Sequence, residues 1–235
     1  MSNWVWDTCR VARTLFSADA LLDAAREVVL QRGPRAATIT AIAAAAGAPV
    51  GSFYHRFGSV DEILAQVWLR AVRRTHSVWP QTVTADSPAI DTITELALAL
   101  FDHCVAEPHD VLLLDRLRRD DVLNLRLTPD MLDQIEQAEK ATAYLMTELA
   151  KALLGRARRQ DVDLLVLAIV DMPFSFAKRY LEQGQPVPQA RRDRLPQAVS
   201  AVIGPYALNE PSRSALPPQA PPATLVHTHR AADAG

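Results

Sequence analysis

Ile42-Ala43-Ala44-Ala45-Ala46-Gly47-Ala48-Pro49-Val50-Gly51-Ser52-Phe53-Tyr54-His55-Arg56-Phe57 is the stretch on which the fold turns. The alanine run favours a helix, because alanine loses no side-chain entropy there. Gly47 can end that helix, and Pro49 cannot continue it. A second short helical segment then runs from Val50 to Arg56 before Phe57-Gly58 breaks it. Two short helices joined by a tight turn with glycine predict a helix-turn-helix.

Upstream, Thr38 precedes Ile39 and Ile42, so the first helix of the pair is barely two turns long. Before it, Ser17-Ala18-Asp19 caps a helix predicted over Ala18 to Arg32, with Leu21, Leu22, Ala25, Val28 and Val29 as its apolar stripe and Gly33-Pro34 as its stop. Downstream, Ser59 caps a further helix with Asp61 and Glu62 in its first turn, where the helix dipole favours acidic groups. Its stripe is Ile63, Leu64, Val67, Trp68 and Ala71.

From Leu21 to Leu64, about fifty residues, this string closely resembles the N-terminal domain of the TetR family of bacterial transcription regulators. The residues that carry the likeness are the Ala24-Ala25 pair, Gly33, Thr38, Gly47, Gly51, Tyr54, Phe57 and the acidic start of the helix after Ser59. The resemblance implies that the segment from Val50 enters the DNA major groove. Small Gly51 and Ser52 would let the backbone approach, with Val50 and Ser52 reaching the groove floor. Tyr54 and His55 would donate to flanking phosphates, as would Thr38 through its hydroxyl and the adjacent helix-terminal N–H groups. Taken singly, Thr38 reads as a cap, Tyr54 and Phe57 as core aromatics and His55 as a solvated side chain. Together at this spacing they read as DNA contacts, with Phe57 left in the core.

Three positions depart from the family pattern. Pro49 stands where serine is usual, Val60 where lysine is usual and Ala41 where an acidic residue is common. One phosphate contact is expected to be lost, with weaker non-specific DNA affinity. Arg10 and Arg13 offer either a compensating arm to phosphate or minor groove, or an untethered segment.

At 235 residues the chain can bury a sizeable core, and two domains are expected. Hydrophobic residues make up 49% and aromatics 6%, with no alternating strand pattern, so the fold class is all-α: a three-helix DNA-binding domain followed by a helical bundle, about nine helices in all. Only Cys9 and Cys104 are present, which suits a reducing, cytoplasmic compartment. Met1 to Phe16 has neither the apolar core nor the cleavage site of a signal peptide. The longest apolar run, Leu164 to Val170, falls far short of the ~20 residues that cross a bilayer. Residues 1–80 carry nine Arg against six acidic groups, whereas the remainder is net acidic, so the whole-chain charge of −2 conceals a basic N-terminal third.

In the second half, Ser87-Pro88 and Thr128-Pro129 set a cap residue before a first-turn proline. Helices are predicted from Pro88 to Val105, from Pro108 to Leu117, from Pro129 to Leu154, from Asp161 to Gln183 and from Leu195 to Ile203. The expected organisation is an arm (1–16), the helix-turn-helix domain (17–71), an effector-binding and dimerisation domain (72–206) and a disordered Pro-rich tail (207–235).

The helix from Asp161 is apolar nearly all round, so it lies either at a bundle centre or in an oligomer interface. The resemblance implies a homodimer through the last two helices, for which Leu164, Leu165, Leu167, Ala168, Val199 and Val202 are candidates. It also implies a small, mostly apolar effector, with Phe101, Met131, Tyr144, Met146, Phe174 and Phe176 as candidate wall residues beside a kink at Pro173. His103, Cys104 and His109 lie on different helix faces, which argues against a metal site. No catalytic constellation and no cofactor motif stand in a suitable context, so an enzyme is not expected. The expected function is repression at a pseudo-palindromic DNA operator, relieved by the effector. The alternative is a helical binding protein or constitutive architectural regulator without one.

Overall fold

The computed structural model describes residues 17–79 and 88–206; the expected N-terminal arm, Ser87 and the Pro-rich tail lie outside these residues. All regular structure among the described residues is helical, with no strand.

Helix α1 (Ala18–Arg32) opens where Ser17 Oγ accepts from Ala20 N at 3.2 Å. A short 3-10 turn (Pro34–Ala36) leads to α2 (Ile39–Ala46). Gly47 then adopts φ 62°, ψ 24°, which carries Ala48 N to within 3.0 Å of Ala43 O and closes the helix end. Helix α3 (Gly51–Phe57) follows after the turn, and α4 (Val60–His76) begins where Ser59 Oγ accepts from Glu62 N at 3.1 Å. Helix α4 continues five residues beyond Ala71, the end of its predicted stripe, because its buried face extends to Thr75.

Helix α5 (Ala89–Ala106) starts one residue later than expected, with Pro88 at its N-cap, and α6 (Pro108–Arg116) places proline in its first turn. A short α7 (Arg119–Leu123), which the sequence pattern did not announce, is capped by Asp121 Oδ2 accepting from Arg118 N at 3.0 Å. Helix α8 (Pro129–Leu154) has the expected Thr128 cap and ends at Gly155, φ 70°.

The next helix begins earlier than predicted, as α9 (Arg159–Val166), because Asp161 accepts from Arg158 N at 3.0 Å and so sits in the third position, as a cap, rather than the first. It passes through a widened π turn (Leu167–Asp171) into α10 (Met172–Glu182). The expected disturbance at Pro173 takes this form: Pro173 has no N–H and would crowd Ile169 O in a regular helix, and just before it Met172 N donates to Leu167 O, five residues back. Helix α11 (Gln189–Ile203) starts six residues before the predicted Leu195 and carries Pro196 inside it. An internal proline costs about 3 kcal/mol. Full burial of Leu195, Val199 and Ile203 offsets this.

Two apolar cores result. One joins α1 to α4 with Leu113, Leu117, Val122, Met131 and Ile135 from α6, α7 and α8. The other fills the bundle, where α10 and α11 both pack on α5. Because α6 to α8 contribute to the first core, the four N-terminal helices rest on the bundle.

Polar groups reinforce that seam. Asp110 on α6 is 1% exposed, and its Oδ1 accepts from Arg26 of α1 at 2.6 Å while Oδ2 accepts from Arg74 of α4 at 3.1 Å. Burial opposes its ionisation, yet the hydrogen bonds and charges of the two guanidinium groups outweigh that and hold the carboxyl below its ordinary range. Asp61 and Glu62, at the start of α4, accept from Arg126 N at 2.9 Å and Thr128 N at 2.7 Å, tying the same helix to the loop before α8.

Candidate nucleic-acid interface and effector cavity

Helix α3 is seven residues long, too short to be stable by itself, and two aromatic residues hold it down. Phe53 is 0% and Phe57 6% exposed, with ring centroids 6.4 Å apart. Residues four apart share a helix face, so Gly51 and His55 stack on the side opposite that pair. Both are exposed, with half-buried Ser52 and 59% exposed Tyr54 flanking them. Tyr54 therefore stands clear of the core, whereas Phe57 lies in it. Val50 is 40% exposed at the entry to the helix.

A side chain built on Gly51 would meet nothing within 4 Å, and its φ does not require glycine. The fold itself does not demand a bare backbone at this outward position. Thr38 serves as the α2 cap, its Oγ1 accepting from Ala41 N at 3.1 Å, and its hydroxyl is exposed with its proton free to donate.

The departures at 41, 49 and 60 have structural consequences. Ala41 and Val60 pack against the N-terminal core. Pro49 caps no donor with its side chain, and α3 is instead entered through tight turns in which Ser52 N donates to Pro49 O at 3.0 Å and Phe53 N to Val50 O at 3.1 Å.

The basic surplus of the N-terminal third divides into two sets. Arg26, Arg70 and Arg74 are committed to Asp110, Asp23 and one another's neighbourhoods inside the protein. Arg32, Arg35 and Arg56 are exposed and make no ion pair among the described residues. Sequence reasoning passed over Arg35 and Arg56, although Arg56 adjoins His55; their availability depends on which other arginines the bundle occupies.

The proposed effector residues are not gathered in one place. Phe101 and Met146 are 3% and 2% exposed in the bundle core, whereas Met131 is 3% exposed in the core shared with α1 to α4. Met131 and Met146 are both on α8, about 22 Å apart along its axis. Tyr144 is 55% exposed, and Phe176 is half-buried against the bundle. Of the six, Phe174 borders the apolar cavity found between α4, α5, α6 and the π turn, a space of about 260 Å³. Its apolar wall includes Leu100, Cys104, Val111, Val170 and Phe174; Thr75, Asp115, Arg118 and Asp171 supply polar groups.

Among the dimer candidates, Leu165, Ala168 and Val199 are 0% exposed, covered by this chain's own core. Leu164 and Val202 are half-buried, and Leu167 is 41% exposed. The apolar helix thus has one side in the bundle and another open. His103 is half-buried, Cys104 buried and His109 exposed, and among the described residues no group of three or more potential ligands is arranged for a metal ion.

Residues 21–67 match the family described as bacterial regulatory proteins, tetR family. The chain is similar in fold to a putative tetR family transcription regulator of Shewanella sp. PV-4, with 16% identity and a TM-score of 0.60 over 81% of this chain and 98% of that one. It is similarly close to a tetR-family bacterial regulatory protein of Rhodococcus RHA1, with 15% identity and a TM-score of 0.61 over 80% and 96%. A ketosteroid transcriptional regulator of Mycobacterium tuberculosis shares 22% identity and a TM-score of 0.57 over 81% and 95%. No curated protein sequence matches the chain. Among the described residues no helix is long and apolar enough to cross a membrane.

Proposed function

We propose, from the match of residues 21–67 to the tetR family of bacterial regulatory proteins, that the chain is a cytoplasmic, homodimeric repressor released from its operator by a small, mostly apolar effector. The observation that carries the DNA-binding part is the outward face of α3: Phe53 and Phe57 anchor it, and Gly51, Ser52, Tyr54 and His55 point away from the anchor. In this reading Val50, Gly51 and Ser52 approach base edges, while Thr38, Tyr54 and His55 hold phosphates. Arg35 and Arg56 add charge without giving up an internal ion pair.

A dimer places two copies of α3 about one DNA turn, ~34–36 Å, apart on a pseudo-palindrome. The open side of α9 and α11, with Leu164, Leu167 and Val202, supplies the self-complementary surface. An effector in the cavity walled by α4 and α6 would shift the population toward a spacing that does not fit the operator.

The test is a mobility shift on the DNA upstream of the protein's own gene, and on a palindrome selected from random sequence, at rising salt and with candidate small molecules. Preferential binding that a compound abolishes is the expected result. Equal binding to random DNA defeats the repressor reading. Preferential binding that no compound alters favours a constitutive regulator without an effector.

A further inference from the structure

The cavity among α4, α5, α6 and the π turn is apolar along most of its wall, yet one buried polar group in that wall lacks a partner. Thr75 is 9% exposed, and its Oγ1 is buried with no hydrogen-bond partner. A buried hydroxyl in that state has lost its water without gaining a partner, so a ligand atom that meets it is favoured. Asp171, an exposed residue of the π turn that also lines the cavity, makes no hydrogen bond or ion pair among the described residues.

The neighbouring charges do not answer Asp171. Asp115 holds Lys178 Nζ at 2.8 Å, and Lys178 is shared with Glu182 at 3.9 Å and lies 5.5 Å from the Phe174 ring centroid. Arg118, exposed just before α7, also lines the cavity but makes no ion pair with Asp171. Partial desolvation pushes the Asp171 carboxyl above its ordinary value.

We propose that this cavity takes a small amphiphile with an apolar body and a hydrogen-bond-donating head, an amine or an alcohol rather than an acid, whose head meets Asp171. The proposal rests on the effector reading above and specifies the ligand's chemistry. The apolar body lies against Leu100, Val111, Val170 and Phe174, and Thr75 offers its hydroxyl to a polar atom of the ligand. A volume of about 260 Å³ lies just under the ~300–1,000 Å³ common for drug-sized sites, so the ligand is small. An acid whose head met Asp171 would set two carboxylates side by side, and like charges that close disfavour binding.

The position also gives the ligand leverage. Thr75 follows Arg74 on α4, and Val111 follows Asp110 on α6, so the cavity adjoins the two ends of the ion pair that joins these helices.

The experiment compares three probes of one skeleton, 4-phenylbutan-1-amine, 4-phenylbutan-1-ol and 4-phenylbutanoate, by titration calorimetry and by melting temperature of the full chain. The amine and alcohol are expected to bind at least tenfold tighter than the acid. Asp171→Asn should weaken the amine at least tenfold and the alcohol less, Thr75→Val should weaken both, and Val170→Trp, filling the cavity, should abolish both. Circular dichroism checks that each variant folds, and a misfolded one leaves the probe ranking and the remaining variants to decide. An acid that binds as tightly as the amine, or an amine indifferent to Asp171→Asn, overturns the proposal. If the acid alone binds and Val170→Trp blocks it, the head-group assignment fails while the effector reading stands. If no probe raises the melting temperature, both fail, and the mobility shift still decides DNA binding.

Discussion

Arg74 Nη1 lies 3.1 Å from Asp110 Oδ2, and the same carboxylate takes Arg26 Nη1 at 2.6 Å on its other oxygen. One buried group on α6 thereby fixes both the first helix and the last helix of the DNA-binding unit. Replacing Asp110 by alanine leaves two arginines facing each other without their acceptor. Arg74 is partly exposed and can turn to water, so a loss of about 3 kcal/mol is expected in urea unfolding, at the low end for a broken buried pair.

The pH dependence follows from the same residue. Its folded carboxyl lies below the ordinary 3.8, so the stabilisation is complete above that value and is lost as pH falls through the folded one. Acid unfolding of Asp110→Asn should therefore lack this part of the acid limb. Identical acid limbs for the variant and the parent would refute the linkage.

Gly51→Ala separates recognition from folding. The position is open and helical, so alanine should leave the melting temperature equal or raise stability by up to ~1 kcal/mol. A methyl group on the face proposed to meet DNA should nevertheless weaken operator binding in a mobility shift. Unchanged operator affinity would remove Gly51 from the interface.

Leu167 and Leu165 offer a paired test of assembly. Leu167 is 41% exposed, so Leu167→Glu should leave the monomer folded while converting the proposed dimer to monomer in light scattering. Leu165, at 0%, is bundle core; Leu165→Glu should unfold the chain outright.

Cys104 should resist thiol reagents. Burial pushes its thiol up to about 12, leaving almost no thiolate at pH 8. In a Cys9→Ser background, labelling by a disulfide reagent should proceed only at the rate of opening and become fast in denaturant. Rapid stoichiometric labelling of the native protein would contradict this.

The helix-turn-helix was legible because its signals are local. Thr38, Gly47, Pro49 and Ser59 set element ends through their own backbone and side-chain chemistry, and Phe57 was correctly read as core. The cavity was not legible in this way. Large residues were the natural candidates for its wall, yet Phe101 and Met146 serve as packing, whereas Thr75, Leu114 and Asp171 come together from three distant segments. Helix periodicity reports how much of a face is apolar, not which neighbour covers it. That limit also left bundle centre and interface undivided for Leu164 to Val170, a stretch whose two sides have different environments.

The π turn at Leu167–Asp171 resembles a frameshift repaired within one turn. A single additional residue would rotate all later side chains by about 100° in a regular α-helix. Here the wider turn absorbs it, and Pro173 and Ala177 still face inward. Deleting one residue from 167–171 should preserve the inward phase of α10 while removing the bulge that carries Asp171, so the segment is dispensable to the helix and indispensable to where that carboxylate stands.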